Sequence, residues 1–481
     1  MGHFFLTIDV GTTSVKLIVW DEGGQKVYRD SFSVHLNYPR EGWVELDPHA
    51  LFQKMKERMD ALEYDFSGVG IANQRETTIL WDGEGKAVYP AIVWQDRRTA
   101  DWCQIHQEKE KWLFEKTGLY LDPYFSLSKI VWILNEIGSY PGPLHFGTLD
   151  SYLVWKLTGG QSYITDYTNA SRTLVFNLQK LAWDEEIIRE FGLQKIFFPL
   201  PGPSFQEFGK IFLKNKKVPL YVILGDQQAS FLGQGCFQER DTKNTYGTGC
   251  FVMMNCGAKR PDVPRGFLVT LATLDQGEPV FVLEGSALSA GVVMEWLVNL
   301  GIISYPGEAE QIARQAVSTH HLLMVPSFTG LGAPYWDPFA RGALLGISPQ
   351  IGKNEIVRAS LQAVAFESAD LLKVMENSFS PIHYISVDGG MSQNSFLMQF
   401  QADISEKAIH VFPDSEATSL GVYYLLGKRL GFLDRDFIEN MKRAARIYEP
   451  AMDSKERNRL WNLWKKGIER VKGWAKNEEK V

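Results

Sequence analysis

The chain opens on two apolar runs, FFLTID and VKLIVW, separated by the turn VGTTS; a third run, QKVYRDSFSV, follows the turn DEGG. Short runs bounded by glycine-bearing turns predict strands, so residues 4–34 read as an antiparallel meander. Residues 48–63 (PHALFQKMKERMDALE) change period and carry apolar positions at helical spacing. GVGIAN then reads as a strand, and TTILW, DGEG and KAVYPAIVW as a second hairpin. Strands and helices alternate from there on, which is the pattern of an α/β protein. Halfway along, DTKNTYGTGCFVMMNCGAKR (241–260) starts another meander: a strand, a Gly-Thr turn and a β-rich strand. Its likeness in plan to the first predicts two domains of similar design, 1–238 and 239–481. The cleft between them is the expected ligand site.

One patterned segment points elsewhere. In the basic tail SKERNRLWNLWKKGIERVKGWAKNEEKV, Trp461, Trp464, Ile468 and Val471 share one helical stripe. Such a helix can lie on a membrane or enter a partner's groove. The expectation preferred here is a terminal helix packed by its stripe on the second domain.

Composition narrows the partners. A net charge of −7 over 481 residues argues against nucleic acid. No apolar run approaches the ~20 residues that span a bilayer. Cys103, Cys236, Cys250 and Cys256 have no CxxC spacing, so neither a zinc site nor a disulfide framework is expected. MGHFFLTIDVG has no basic region or cleavage site before its strand, and the expected location is cytoplasmic.

The turns carry the chemistry. Asp9 ends a strand and is followed by Gly11-Thr12-Thr13, a place where backbone N–H groups and hydroxyls can approach an anion. A carboxylate there suits Mg²⁺, and Lys16 adds positive charge. D-x-G-T is also the pattern of a plain hairpin turn. Tyr246-Gly247-Thr248-Gly249 is a second such turn, and VDGGMSQN (387–394) is a third between the strand HYISV and the helix SFLMQFQADI. Three glycine turns at corresponding strand ends would converge on one nucleotide. A P-loop signature is missing, and GVGIAN lacks the last glycine of a dinucleotide fingerprint. Asp226, in GDQQAS after the apolar strand YVIL, sits where a helix begins. It reads either as an N-cap or as a general base for an attacking hydroxyl.

With these turns in hand, the chain resembles the FGGY carbohydrate kinases, and among them the glycerol-specific branch. The resemblance runs over nearly the whole sequence. It rests on DVGTTSVK (9–16), NQRETTILWD (73–82), AIVWQDRRTA (91–100), DPYFS (122–126), TDYTNASRT (165–173) and GDQQA (225–229). It continues through KNTYGTGCF (243–251), EGSALSAG (284–291), FTGLGAPYWDPFARG (328–342), VDGGMSQN and FLMQFQADI (396–404). It implies a duplicated ribonuclease-H-like fold of the actin/Hsp70 type, α/β in class, with Mg-ATP bound between two domains. It further implies a homo-oligomer, dimer or tetramer, and ATP-dependent phosphorylation of glycerol to sn-glycerol 3-phosphate.

By position, the resemblance gives Arg75 and Glu76 to the glycerol hydroxyls, Trp94 to its carbon backbone and Tyr124 as a hydroxyl partner. Asp226 is the base, Gln227 a further contact and Phe251 an apolar wall. Thr12, Thr13, Ser14, Lys16, Thr248, Gly291, Glu295, Gly390 and Asn394 fall to the nucleotide, and Asp9 to magnesium. The chemistry is coherent. Every glycerol hydroxyl both donates and accepts, so a one-sided site leaves buried groups unpaired at roughly 1–3 kcal/mol each. Arginine donates, carboxylates accept, and aromatic walls suit the C–H edge.

Departures from the family pattern sharpen the expectations. Val10 and Val15-Lys16 stand where glycerol-specific members carry Gln and Ser-Arg, so phosphate contact at Lys16 loses the guanidinium fork. Glu295 replaces a glutamine. GKIFLKNKKVPL lacks the glycine-rich loop used for sugar-bisphosphate feedback, and residues 203–228 contain no histidine for phospho-histidine activation. The expected enzyme is unregulated or differently regulated. Two alternatives stand beside it: the same chemistry on erythritol or xylulose, and a non-catalytic nucleotide switch.

Overall fold

The structure, a computed structural model, describes residues 3–476 except 215, 265, 275–277, 288, 318–320 and 415. Leu288 of EGSALSAG, Asn215 of GKIFLKNKKVPL and the last five residues of the basic tail therefore lie outside the described residues. Each of two compact units takes three segments of the chain. One comprises Met1–Gly235, Val269–Phe281 and Glu416–Ile438; the other comprises Cys236–Leu268, Val282–Ser415 and Glu439–Val481.

The first unit is built on a six-stranded sheet in the order Phe205–Leu213, Lys216–Gly225, Phe66–Asn73, Phe4–Val10, Ser14–Asp21, Lys26–Ser33. The last three form the meander read from the sequence, antiparallel throughout. The middle three run parallel. Phe4–Val10 is buried along nearly its whole length, because both faces of a central strand are covered, and all of its residues but Thr7 and Asp9 are apolar. Leu6, Ile8 and Val10 share one core with Leu51, Met55 and Met59 of the helix Pro48–Asp60. Phe5, pointing the other way, stacks on Phe432 at 4.2 Å between ring centroids. The helix Pro48–Asp60 starts where its sequence says it must. Asp47 accepts from the N–H groups of His49 and Ala50 at 2.9 and 3.0 Å, and Pro48 fills the first helical position.

The expected second hairpin is much reduced. Only Ala91–Ile92 of KAVYPAIVW is strand, and Thr78–Trp81 meets it at the single pair Thr78–Ile92. The turn itself is present, with the bridge Trp81–Ala87 and Val88 N donating to Leu80 O at 2.9 Å, while the other edge of Thr78–Trp81 pairs along its length with the distant strand Leu144–Thr148. Pro90 has no N–H to give a ladder, which ends the local pairing.

The second unit repeats the plan. Thr242–Tyr246 and Cys250–Asn255 pair antiparallel, with residues 282–287 beyond them, while Tyr384–Asp388 and Ala408–Val411 extend the sheet in parallel. The duplicated α/β architecture expected from the two meanders is therefore present. The tail forms the helix Ser454–Val471, whose Trp461, Trp464, Ile468 and Val471 are buried. Trp464 stacks on Phe366 at 5.0 Å and donates to Asp370 at 2.6 Å, so the apolar stripe is used within the unit. All four cysteines are buried free thiols. No helix among the described residues is long and apolar enough to cross a membrane.

Candidate active site

Register builds the site. In the first unit Val10, Asn73 and Gly225 are neighbours on three adjacent parallel strands. The segments leaving these strands therefore emerge on one rim: Gly11-Thr12, Gln74-Arg75-Glu76, and Asp226. The carboxyl edge of such a sheet is where α/β proteins place ligands.

Arg75 and Glu76 are not at the wet edge that their charge suggests. They are 3% and 1% exposed. Glu76 has φ +64 in a three-residue turn closed by Thr77 N donating to Arg75 O at 2.8 Å. That is the rarer and strained hand of γ-turn, of the kind that concentrates at functional sites. The pair survives burial because it is networked. Arg172, 1% exposed, donates through Nε to Glu76 Oε1. Arg75 donates to Gln228 Oε1 at 3.1 Å, and its Nε lies 3.8 Å from both Glu76 Oε1 and Asp226 Oδ1. Gly225 makes this possible, since a Cβ there would lie 2.8 Å from Arg75 Cδ.

Asp226 opens the helix Asp226–Gly233 with its side chain 27% exposed. Its Oδ1 accepts from Gln227 N at 2.7 Å. A helix N-terminus and a guanidinium both favour negative charge there. Trp94 and Tyr124 meet edge to face at 5.5 Å. Arg172 lies 5.3 Å from the Tyr124 ring centroid, so Arg75, Glu76, Trp94, Tyr124, Asp226 and Gln227 share one neighbourhood. Phe251 belongs to the second unit, on the strand Cys250–Asn255 opposite Thr245.

On the Gly11-Thr12-Thr13 turn of the first unit, the Thr12 hydroxyl donates to Gln74 at 3.2 Å and accepts from Trp94 Nε1 at 2.9 Å. Thr13 is exposed, and Gly11 N closes the turn onto Ser14 O at 3.0 Å. Lys16 is held between carboxylates: Nζ donates to Glu416 at 2.8 Å and lies 3.9 Å from Asp9. Arg29 also pairs with Glu416. Burial pushes the Asp9 carboxyl up to about 7; Lys16 opposes the rise, and Asp226 and Glu416 add to it.

The glycine turns of the second unit also gather. Gly291 N donates to Gly247 O at 2.9 Å and Ala290 N to Thr248 O at 3.0 Å, which seats the start of the helix Gly291–Asn299 against the Thr248 turn. Gly389 has φ +88, and a Cβ there would fall 2.3 Å from Tyr246 O, so the Gly390 turn needs glycine to lie beside that strand end. Glu295 is exposed, one turn along from Gly291. Asn394 caps the helix Ser395–Ser405, accepting from Leu397 N at 2.9 Å.

Sequence reasoning assigned no role to Arg172, although TDYTNASRT contains it, nor to Gln74, Gln228, Glu416 or Lys129. Lys129 is fully buried, and burial lowers its amine to about 7. Glu76, Asp96 and Asp122 oppose that shift, and Arg97 adds to it. Below pH ~7 both folded and unfolded chains hold the proton. Between there and the ordinary lysine value of 10.5 only the unfolded chain does, so stability rises with pH across that window. Urea unfolding of wild type relative to Lys129→Met is expected to show this rise between about pH 7 and 9, with a slope of up to about 1.4 kcal/mol per pH unit. Parallel curves for the two proteins would remove the assignment.

Comparison with known proteins gives a consistent picture. Residues 4–233 match the model of the N-terminal domain of the FGGY family of carbohydrate kinases, and residues 242–428 match its C-terminal domain. The glycerol kinase of Clostridium perfringens is 40% identical over 99% of this chain and 99% of its own. Glycerol kinase 2 of Thermotoga maritima is 42% identical over 98% and 99%. Among solved structures, Plasmodium falciparum glycerol kinase with ADP superposes with a TM-score of 0.91 at 31% identity, covering 98% of each chain.

Proposed function

The chain belongs to the FGGY family of carbohydrate kinases, and from that membership we infer that it transfers the γ-phosphate of ATP to a terminal hydroxyl of glycerol, giving sn-glycerol 3-phosphate and ADP. The observation that carries the choice of glycerol is the buried Arg75–Glu76 pair beside Asp226. It sits in a chain about 40% identical to glycerol kinases end to end.

In this reading the first unit holds the polyol and the second holds most of the nucleotide. The Arg75 guanidinium donates to glycerol oxygens and the Glu76 carboxylate accepts from its hydroxyls. A site that pairs each hydroxyl also rejects analogues lacking one. Trp94 lines the carbon edge, and Tyr124 is a partner for a glycerol hydroxyl. Asp226 takes the proton of the attacking hydroxyl as that oxygen bonds to the γ-phosphorus, and the bond to the ADP oxygen breaks. Thr13 and Ser14 in the first unit, and Thr248, Gly291, Gly390 and Asn394 in the second, offer phosphate and adenosine contacts. Lys16, anchored by Glu416, supplies charge rather than a fork.

Magnesium fits the donor set. Among the described residues no group of three or more His, Cys, Asp or Glu could hold a metal. Mg²⁺, however, commonly uses one or two carboxylates and completes its shell with waters and substrate phosphates. Asp9, raised partly by Asp226 and Glu416, is a carboxylate whose charge a cation would relieve. When bound, the ion neutralises phosphate charge.

A coupled ADP-release assay over a panel of polyols and ketoses tests this reading. ADP release should depend on glycerol and rise far above that with ATP alone. Equal or faster release with erythritol or xylulose would reassign the substrate. Release indifferent to every polyol would leave a nucleotide switch.

A further inference from the structure

One charged side chain buried beside the polyol residues has no part in the mechanism above. Lys129 lies on the helix Ser126–Ile137 and is 0% exposed. A buried amine must find acceptors. The two within reach are backbone carbonyls of residues assigned to the substrate: Tyr124 O at 2.9 Å and Glu76 O at 3.3 Å. We propose that Lys129 is a positioning residue of the polyol site, whose amine ties the Glu76 and Tyr124 carbonyls together and so fixes the turn that aims Arg75 and Glu76.

Three features carry this. First, Glu76 occupies the positive-φ position of its turn without being glycine, a conformation that persists only when its surroundings over-determine it. Second, the Glu76 carbonyl is where those surroundings converge, since Thr78 Oγ1 at 2.9 Å and Ser126 Oγ at 3.5 Å also donate to it. Third, of these donors Lys129 is the one that also grips Tyr124 O. It thereby couples two chain segments, residues 75–76 and 124, that must hold one small ligand. An amine keeps two N–H groups even when neutral, one for each carbonyl, so the clamp does not depend on its charge. The competing reading is a core lysine that supports the fold and nothing more.

The proposal rests on the assignment of Glu76 and Tyr124 to the polyol, so the experiment separates the two. Steady-state kinetics are measured on the full chain with glycerol and ATP varied in turn, for wild type, Lys129→Met, Lys129→Gln and Glu76→Gln. Lys129→Met is expected to raise the glycerol KM about tenfold or more while the ATP KM stays within about twofold. Lys129→Gln, which keeps an NH₂ donor, should recover much of the loss. A glycerol KM within about twofold of wild type in both lysine variants, with Glu76→Gln clearly impaired, overturns the positioning role and leaves the polyol site standing. An equal rise in both KM values, the mark of general loosening, overturns it as well. An unchanged glycerol KM in Glu76→Gln overturns the polyol assignment and the Lys129 role with it. If Lys129→Met does not fold, Lys129→Leu, which also removes the donors, is judged by the limits set for Lys129→Met.

Discussion

Replacing Asp226 by asparagine should lower turnover by about 10²–10⁴-fold and leave glycerol binding within about tenfold of wild type. Asparagine has the size of the aspartate and keeps one oxygen acceptor, so the Gln227 N–H bond at 2.7 Å and the helix start survive. It cannot accept the proton that the attacking hydroxyl must lose. Charge is lost too: the Arg75 Nε now 3.8 Å from Asp226 would face a neutral group. Glu76 remains beside that guanidinium, so the polyol clamp keeps a carboxylate. The measurement pairs ADP release under saturating substrates with calorimetric titration of glycerol. An asparagine variant with turnover near wild type would end the base assignment, and one that no longer binds glycerol would make Asp226 chiefly a binding group.

Much of this site is readable in the sequence alone, for a physical reason. Strand ends are marked locally by a run of apolar residues meeting glycine or charge, and the functional groups stand at those ends. Asp9, Arg75, Asp226, Thr248 and Gly390 all succeed or close such runs. The duplicated plan is readable because both meanders write the same strand, turn and strand. The surroundings of Arg75 and Glu76 are not. After the strand ends at Asn73 the chain turns sharply at Glu76 and keeps both charged side chains buried. What permits this is Arg172, 96 positions further along the chain, and no local periodicity carries information about a partner at that distance. Lys129 is hidden differently. On a helix with Leu127, Ile130 and Ile133 buried, a lysine reads as a solvated break in the pattern, whereas here its amine goes inward. The hairpin expected at 77–94 is shortened, Pro90 interrupting its second arm, and the strand on the other edge of Thr78–Trp81, Leu144–Thr148, lies too far along the chain for local pattern to show.

The residues just beyond the strand ends differ in composition between the two units. In the first, the segments after the parallel strands carry Arg75, Glu76 and Asp226, the groups that the proposed reading gives to the hydroxyls of glycerol. In the second, the corresponding ends carry Gly247, Gly249, Gly389 and Gly390, residues that let backbone N–H groups approach an anion closely. On the proposed reading, a fold duplicated in plan divides polyol and phosphate chemistry by the few residues placed just beyond each strand.

The largest loss of stability is expected from Arg172→Met. Arg172 is 1% exposed, bonds Glu76 through Nε, and lies over the Tyr124 and Phe125 rings at 5.3 and 5.2 Å. Methionine preserves much of the stem's packing and removes the charge and its donors. Glu76, its side chain 2% exposed, would then keep only the looser 3.8 Å approach of Arg75 Nε among its charged partners at that oxygen. Breaking a buried pair from one side costs about 3–5 kcal/mol, because the remaining charge is stranded. Removing both charges costs less than the sum. In urea unfolding, Glu76→Gln combined with Arg172→Met should therefore be more stable than additivity predicts by about 1–3 kcal/mol. The glycerol KM, by contrast, should not recover in the double variant, since the acceptor for the hydroxyl is still gone. That dissociation is the informative result: stability restored without binding means that Arg172 serves the fold by serving Glu76. Simple additivity, within about 0.5 kcal/mol, would mean that the two residues are not energetically paired and that the Glu76 carboxylate is held in place by its backbone turn.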